Sequence, residues 1–77
     1  MTKNHYKLYV DMKEGTHDYV SATVYSMFDE KVLWLPDIKK PENVADYTDE
    51  WKNGLYSYYE KLAISELNDY NATFSHL

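Results

Sequence analysis

The sequence predicts an α+β fold: a three-stranded antiparallel β-meander followed by one long C-terminal α-helix packed on one sheet face, in the order β-β-β-α. Three features carry this expectation: two stretches of apolar/polar alternation in the first third of the chain, a short apolar run closed by Pro36, and a helical stripe from Trp51 to Leu62. At 77 residues the chain has room for one small domain, residues 1–77.

In Tyr6-Lys7-Leu8-Tyr9-Val10-Asp11-Met12 the even positions are apolar, the mark of a half-buried strand. The next run places Val20, Ala22, Val24 and Phe28 on one face and Tyr19, Ser21, Thr23, Tyr25 and Met27 on the other. Because both strands bury even positions, the numbers of paired residues must sum to an even value. A three-residue loop, Lys13-Glu14-Gly15, meets that condition and offers a glycine for a left-handed position. It pairs Met12 with Thr16, sets Leu8 opposite Val20 and Tyr9 opposite Tyr19, and turns His17 toward Asp11.

A second turn at Asp29-Glu30 leads into Lys31-Val32-Leu33-Trp34-Leu35. A two-residue loop there pairs Phe28 with Lys31, sends Leu33 and Leu35 to the core and leaves Val32 and Trp34 outside. Pro36 lacks a backbone donor and is expected to end the strand. Residues 36–47 read as a loop with a short helical turn from Pro41. Thr48 suits an N-cap, with Asp49 and Glu50 in the first turn. From there to about Asn68, Trp51, Leu55, Tyr58, Tyr59 and Leu62 share one face at 3.6 residues per turn. Gly54 interrupts this run, and Tyr56, Ile64 and Leu67 project from other sides. Asp69 to Leu77 receives no assignment.

Composition narrows the function. With no cysteine there is no disulfide framework, thiolate metal site or cysteine nucleophile. A domain of this size hides only about 60% of its unfolded surface and draws roughly 3–5 kcal/mol from its core, so support from a partner or a second copy is expected. The N-terminus shows no secretion signal and the longest apolar run is Val32–Leu35, so a cytoplasmic protein without a membrane anchor is expected.

The net charge is −5, and lysine supplies every positive charge, because the chain has no arginine. Arginine's planar fork is the usual reader of phosphate and guanine, so nucleic acid is a disfavoured partner. Residues 1–40 balance, and the whole excess of acid lies in residues 41–77, with Glu42, Asp46, Asp49 and Glu50 close together. No glycine-rich phosphate loop, calcium loop or histidine pair at metal spacing is present, so no metal or cofactor is expected. The His17–Asp11 pair has no hydroxyl in a recognised catalytic arrangement, so no catalytic residue is assigned and the chain is not expected to be an enzyme.

What remains is interaction. Tyr9, Tyr19, Tyr25 and Trp34, with Met27 and Val32, would form an amphipathic outer sheet face, the residue types found at protein interfaces. The acidic segment would suit a basic protein surface. These features together point to a small acidic protein-binding module. One concrete form is an inhibitor or modulator of a nucleic-acid-handling host protein, of the kind phages and mobile elements encode for anti-defence. In that role the carboxylates would imitate a phosphate backbone and the aromatics would anchor the contact. The alternative is a self-assembling structural or regulatory subunit, a homodimer through the outer face. A third reading has that face stack single-stranded nucleic acid. The bland reading of the aromatic face is that the C-terminal tail covers it.

Overall fold

A computed structural model describes residues 4–12 and 18–77, Val44 by its backbone alone. The chain forms β1 (Asn4–Asp11), β2 (Tyr19–Tyr25), β3 (Lys31–Lys39), a 3₁₀ turn (Val44–Asp46), α1 (Asp49–Leu67) and β4 (Ala72–His76). The fold is α+β with a single helix on a sheet, as the sequence predicts. The sheet has four strands, not three, in the order β3-β2-β1-β4, and it is mixed rather than antiparallel. β1–β2 and β2–β3 pair antiparallel, and β4 pairs parallel to β1. The segment left unassigned in the sequence therefore supplies an edge strand. The reason is topological. α1 carries the chain from one edge of the sheet to the other, where the exposed edge of β1 offers backbone groups that need partners.

The side-chain parity is as predicted, but the registers are not. β1 and β2 pair Leu8 with Val24 and Tyr9 with Thr23, four residues from the expected alignment. A shift of four keeps every residue on its face, so the alternation alone cannot distinguish the two registers. The expected loop Lys13–Gly15 and the His17–Asp11 pair lie outside the described residues, and Asp11 is aligned with Ser21.

The β2–β3 turn also differs. Asp29 adopts a left-handed conformation (φ 62°), its N–H donates to the Ser26 carbonyl (3.0 Å), and the Ser26 N–H donates to the Glu30 carbonyl (2.8 Å). This is a type I turn followed by a left-handed residue, and aspartate is among the few non-glycine residues that take that position readily. Phe28 is thereby lifted to the hairpin tip, 87% exposed, instead of joining the core. Pro36 does not end β3. The register shifts between the pairs Val20↔Ile38 and Ala22↔Leu35, so Pro36 sits at a bulge of an edge strand and pairing resumes as far as Lys39.

The core is the even face of the sheet, Leu8, Val10, Val20, Ala22, Val24 and Leu35, closed by Leu55, Tyr59 and Ala63 of α1. Those helical positions are four apart, one stripe on one face. Thr48 caps the helix, its Oγ1 accepting from the Trp51 N–H at 3.2 Å. Asn68 ends it in a left-handed conformation (φ 53°), with the Asn68 N–H donating to the Ser65 carbonyl and the Asp69 N–H to Ile64, a Schellman arrangement.

Tyr59 is fully buried, and its hydroxyl donates to the Pro36 carbonyl at 2.8 Å. Burial, then the charge of Asp37 and the neighbouring Tyr58, pushes its pKa from 10.0 up to about 12. A phenol with a raised folded-state pKa stabilises the fold below the unfolded value and loses that contribution as pH rises through the folded one. Stability should therefore fall between pH 10 and about 12. Tyr59→Phe should remove this component of the alkaline loss and cost about 1–2 kcal/mol at neutral pH, as read by urea unfolding across the pH range.

Candidate functional site

The odd positions of β1, β2 and β4, with the even positions Val32 and Trp34 of β3, form the second sheet face. Register places Tyr9, Thr23 and Trp34 in one row across β1, β2 and β3. With neighbouring strands about 4.8 Å apart, Tyr9 and Trp34 flank Thr23 across roughly 10 Å. Tyr25 stands in the adjacent row between Lys7 and Lys31, and Tyr19 lies further along β2, opposite Lys39. The four aromatics singled out in the sequence thus share one face. Trp34 is 69% exposed, Tyr19 49% and Tyr9 40%, while Tyr25 is half-buried. β4 extends the sheet sideways instead of folding over this face, so coverage by the C-terminal tail is corrected: Thr73 and Ser75 join the outer face at its far edge.

Glu42, Asp46, Asp49 and Glu50 are all exposed. Asp46 closes the 3₁₀ turn, and Asp49 and Glu50 open α1, where they complement the helix dipole. Glu42 lies 3.4 Å from Lys39 Nζ. Because Lys39 is aligned with Tyr19, the acidic connection borders the aromatic face at that corner. The segment also holds cations: Lys40 and Lys52 place their amines 5.6 and 4.8 Å from the centroid of the Tyr47 ring. That ring packs on Trp51 at 5.1 Å.

Several polar groups that the sequence did not single out cluster where β4 meets β1. His5 Nε2 lies 2.6 Å from Ser75 Oγ, and His5 Nδ1 lies 3.1 Å from Thr73 Oγ1. Asp69 Oδ2 accepts from Asn4 Nδ2 (2.6 Å) and from the Tyr6 hydroxyl (3.3 Å). Burial, then the charge of Asp69 and its hydrogen bond, raises the Tyr6 pKa. His76 stacks on Tyr56 at 4.7 Å and reaches Glu60 Oε1 at 2.7 Å. A serine beside a histidine can act as a nucleophile, but that chemistry also needs an enclosed site and a group to stabilise the developing oxyanion. Here histidine and serine stand exposed on the sheet, and we read them as a clasp on the edge strand. Among the described residues no group of three or more acidic, histidine or cysteine side chains is placed to hold a metal ion. No helix among the described residues is long and apolar enough to cross a membrane.

No family model, curated protein or solved structure matches this chain. The surface must therefore be read from its own chemistry.

Among the described residues a concavity lies on the helix side. A groove of about 480 Å³ is lined by Ile38, Trp51, Gly54, Leu55 and Tyr58. A glycine inside a helix costs about 1 kcal/mol relative to alanine, yet a Cβ at Gly54 would meet nothing within 4 Å. Gly54→Ala should then stabilise the fold by about 1 kcal/mol and raise the melting temperature by roughly 4–8 °C, measured by thermal denaturation. Trp34→Ala, on the open sheet face, should shift stability by no more than about 0.5 kcal/mol, whereas Leu8→Ala in the core should cost about 2–5 kcal/mol.

Proposed function

We propose that this chain is a non-enzymatic protein-binding module whose contact surface is the open aromatic sheet face. Tyr9, Tyr19, Tyr25 and Trp34 are its anchors. The observation that carries the reading is the exposure of these rings on a rigid strand scaffold, with Trp34 69% exposed and unused by the core. Large aromatics fixed on strands lose little side-chain freedom on binding, and tyrosine and tryptophan dominate interface energetics.

The partner we propose is a protein with a basic surface. The acidic connection that borders the face at Tyr19, with Glu42, Asp46, Asp49 and Glu50, would meet its cations and speed encounter. A nucleic-acid-handling protein fits that description, because its phosphate-binding surface would be matched by carboxylates here. Inhibition or modulation of such a protein is the corresponding activity. The same face could instead pair two copies of the chain, and the net charge of −5 with no arginine favours that alternative over stacked nucleic acid.

Affinity capture from host extract, comparing wild type with Tyr19→Ala/Trp34→Ala and with Asp46→Lys/Asp49→Lys, tests the reading. The aromatic pair should abolish retention of the partner. The charge reversals should weaken it steeply at low salt and flatten its salt dependence. A partner retained equally by all three proteins would overturn the assignment of the face. A wild-type mass that doubles with concentration and reverts in the aromatic variant would identify the second copy as the partner.

A further inference from the structure

The two edges of the sheet differ in chemistry. Along β3, Lys31 and Lys39 stand at the ends, Asp37 lies between them and Pro36 sits at a bulge. Lysine, proline and a bulge on an edge strand discourage a further strand from pairing. β4 carries none of these: it has no proline, no lysine and no acid, and its register with β1 is unbroken.

The direction of the β4 backbone groups follows from the ladder. In a parallel pair, alternate residues of each strand turn their N–H and C=O toward the neighbour. Leu8 is aligned with His76, and its carbonyl accepts from the Leu77 N–H at 2.9 Å. Thr73, Ser75 and Leu77 therefore face β1, and Ala72, Phe74 and His76 turn their backbone groups to the open edge. The Ala72 N–H is taken up by the Asp69 carbonyl at 3.2 Å. The N–H and C=O of Phe74 and His76, with the Ala72 carbonyl, have no backbone partner among the described residues.

We propose that this edge pairs with the same edge of a second copy, antiparallel about Phe74, joining the two four-stranded sheets into one.

The symmetry of the strand selects this occupant. Antiparallel pairing that uses the outward residues and the full length of β4 has one register, centred on Phe74. Phe74 then exchanges both backbone bonds with Phe74 of the second copy, and each His76 N–H meets the Ala72 carbonyl opposite. The Ala72 N–H, committed to its turn, leaves only the His76 carbonyl at the strand end to water. The side chains match in the same register, because residues directly opposite share a face. Phe74 meets Phe74 on the helix side, and Thr73 meets Ser75 twice on the outer side. Phe74 is half-buried and lies 5.9 Å from the Tyr6 ring. Pairing brings the two Tyr6–Phe74 couples together across the axis and covers what each leaves exposed. No like charges stand opposite each other, although each chain carries −5. The acids beside the strand already have partners: Glu60 lies 2.7 Å from His76, and Asp69 accepts from Asn4 and Tyr6.

The contact is isologous, with a two-fold axis perpendicular to the sheet, so association stops at two chains. Both helices then lie on one side and both aromatic faces on the other. None of Tyr9, Tyr19, Tyr25 and Trp34 takes part, so the pairing is independent of the reading of that face. A five-residue strand makes a small interface, and the expected dissociation constant is about 0.1 mM.

Sedimentation equilibrium from about 10 µM to about 1 mM spans that constant. Wild type should pass from the 9.2 kDa monomer to two chains and stop there. Thr73→Lys/Ser75→Lys sets like charges opposite each other in this register and should stay monomeric, and so should Thr73→Glu/Ser75→Glu. An equimolar mixture of these two variants should recover a species of two chains. Tyr19→Ala/Trp34→Ala should pair as wild type does. A wild type that stays monomeric or grows beyond two chains overturns the inference, as does a mixture of folded charge variants that stays monomeric. Loss of pairing in Tyr19→Ala/Trp34→Ala also overturns it and assigns the contact to the aromatic face.

Single cysteines read the register directly and do not depend on the folding of the charge variants. The chain has no cysteine of its own. Thr73 and Ser75 of the second copy form a non-hydrogen-bonded pair, whose Cα atoms lie about 4.5 Å apart, within the span of a disulfide. An equimolar mixture of Thr73→Cys and Ser75→Cys should cross-link under mild oxidation about tenfold faster than either variant alone. Equal rates would overturn the register and the inference with it.

Discussion

The structure depends on the burial of Tyr59 against the even face of the sheet. Its ring fills the centre of a core otherwise made of small and medium aliphatic side chains, and Leu55 and Ala63 flank it one turn either way. A phenol placed there must have its hydroxyl satisfied, since an unpaired buried hydroxyl would cost as much as the packing it accompanies returns. The partner is the Pro36 carbonyl, at the bulge of β3. Proline cannot donate to a ladder, so β3 is irregular at that point, and the irregularity provides the acceptor. Helix position, edge-strand bulge and core are thus one constraint. Once α1 is pinned to β3 by this bond, it delivers the chain across the sheet, and the last strand takes the open edge of β1.

That route determines what is left exposed. With its single helix on the even face and its C-terminal strand at the edge, the molecule has nothing among its described residues lying over the odd face. The result is two faces of opposite character. One is aliphatic and closed, and the other carries aromatic rings among threonine, serine and lysine. The aromatics of the open face have polar tips or stand singly among polar neighbours, so the surface can be wetted when free and dried when bound. Its acidic border arises from the same route, because the connection that turns β3 into α1 holds the helix cap, and a helix N-terminus favours acids.

Much of this was legible in the sequence because the strands follow a period of two strictly. Leu8, Val10, Val20, Ala22 and Val24 could be assigned to the core from alternation alone, and Thr48, Asp49 and Glu50 marked the helix start. The registers were not legible, because slipping β2 by four residues against β1 conserves every facing. Phe28 was misplaced for a related reason. Ser26 and Asp29 together specify a three-residue turn with a left-handed final position, which takes Phe28 out of the alternation. β4 had a weak signal that was available: Ala72 and Phe74 alternate with Thr73 and Ser75 after the turn-forming Asn68-Asp69-Tyr70-Asn71. Its partner lies at the opposite end of the chain, and no local pattern announces a parallel pairing over that separation.

The polar groups along the β1–β4 seam explain how so short a strand holds its place. A five-residue ladder at an edge contributes little alone, and Phe74 supplies the only large apolar side chain in it. The remainder comes from side chains at the two ends and on both faces of the strand. Asp69 ties the incoming turn to Asn4 and Tyr6, His5 joins Thr73 and Ser75 on the outer face, and His76 locks onto Tyr56 and Glu60 on the helix side. Each of these contacts joins β4 or the turn before it to a residue of β1 or α1. The same groups thereby help the last strand to close the fold.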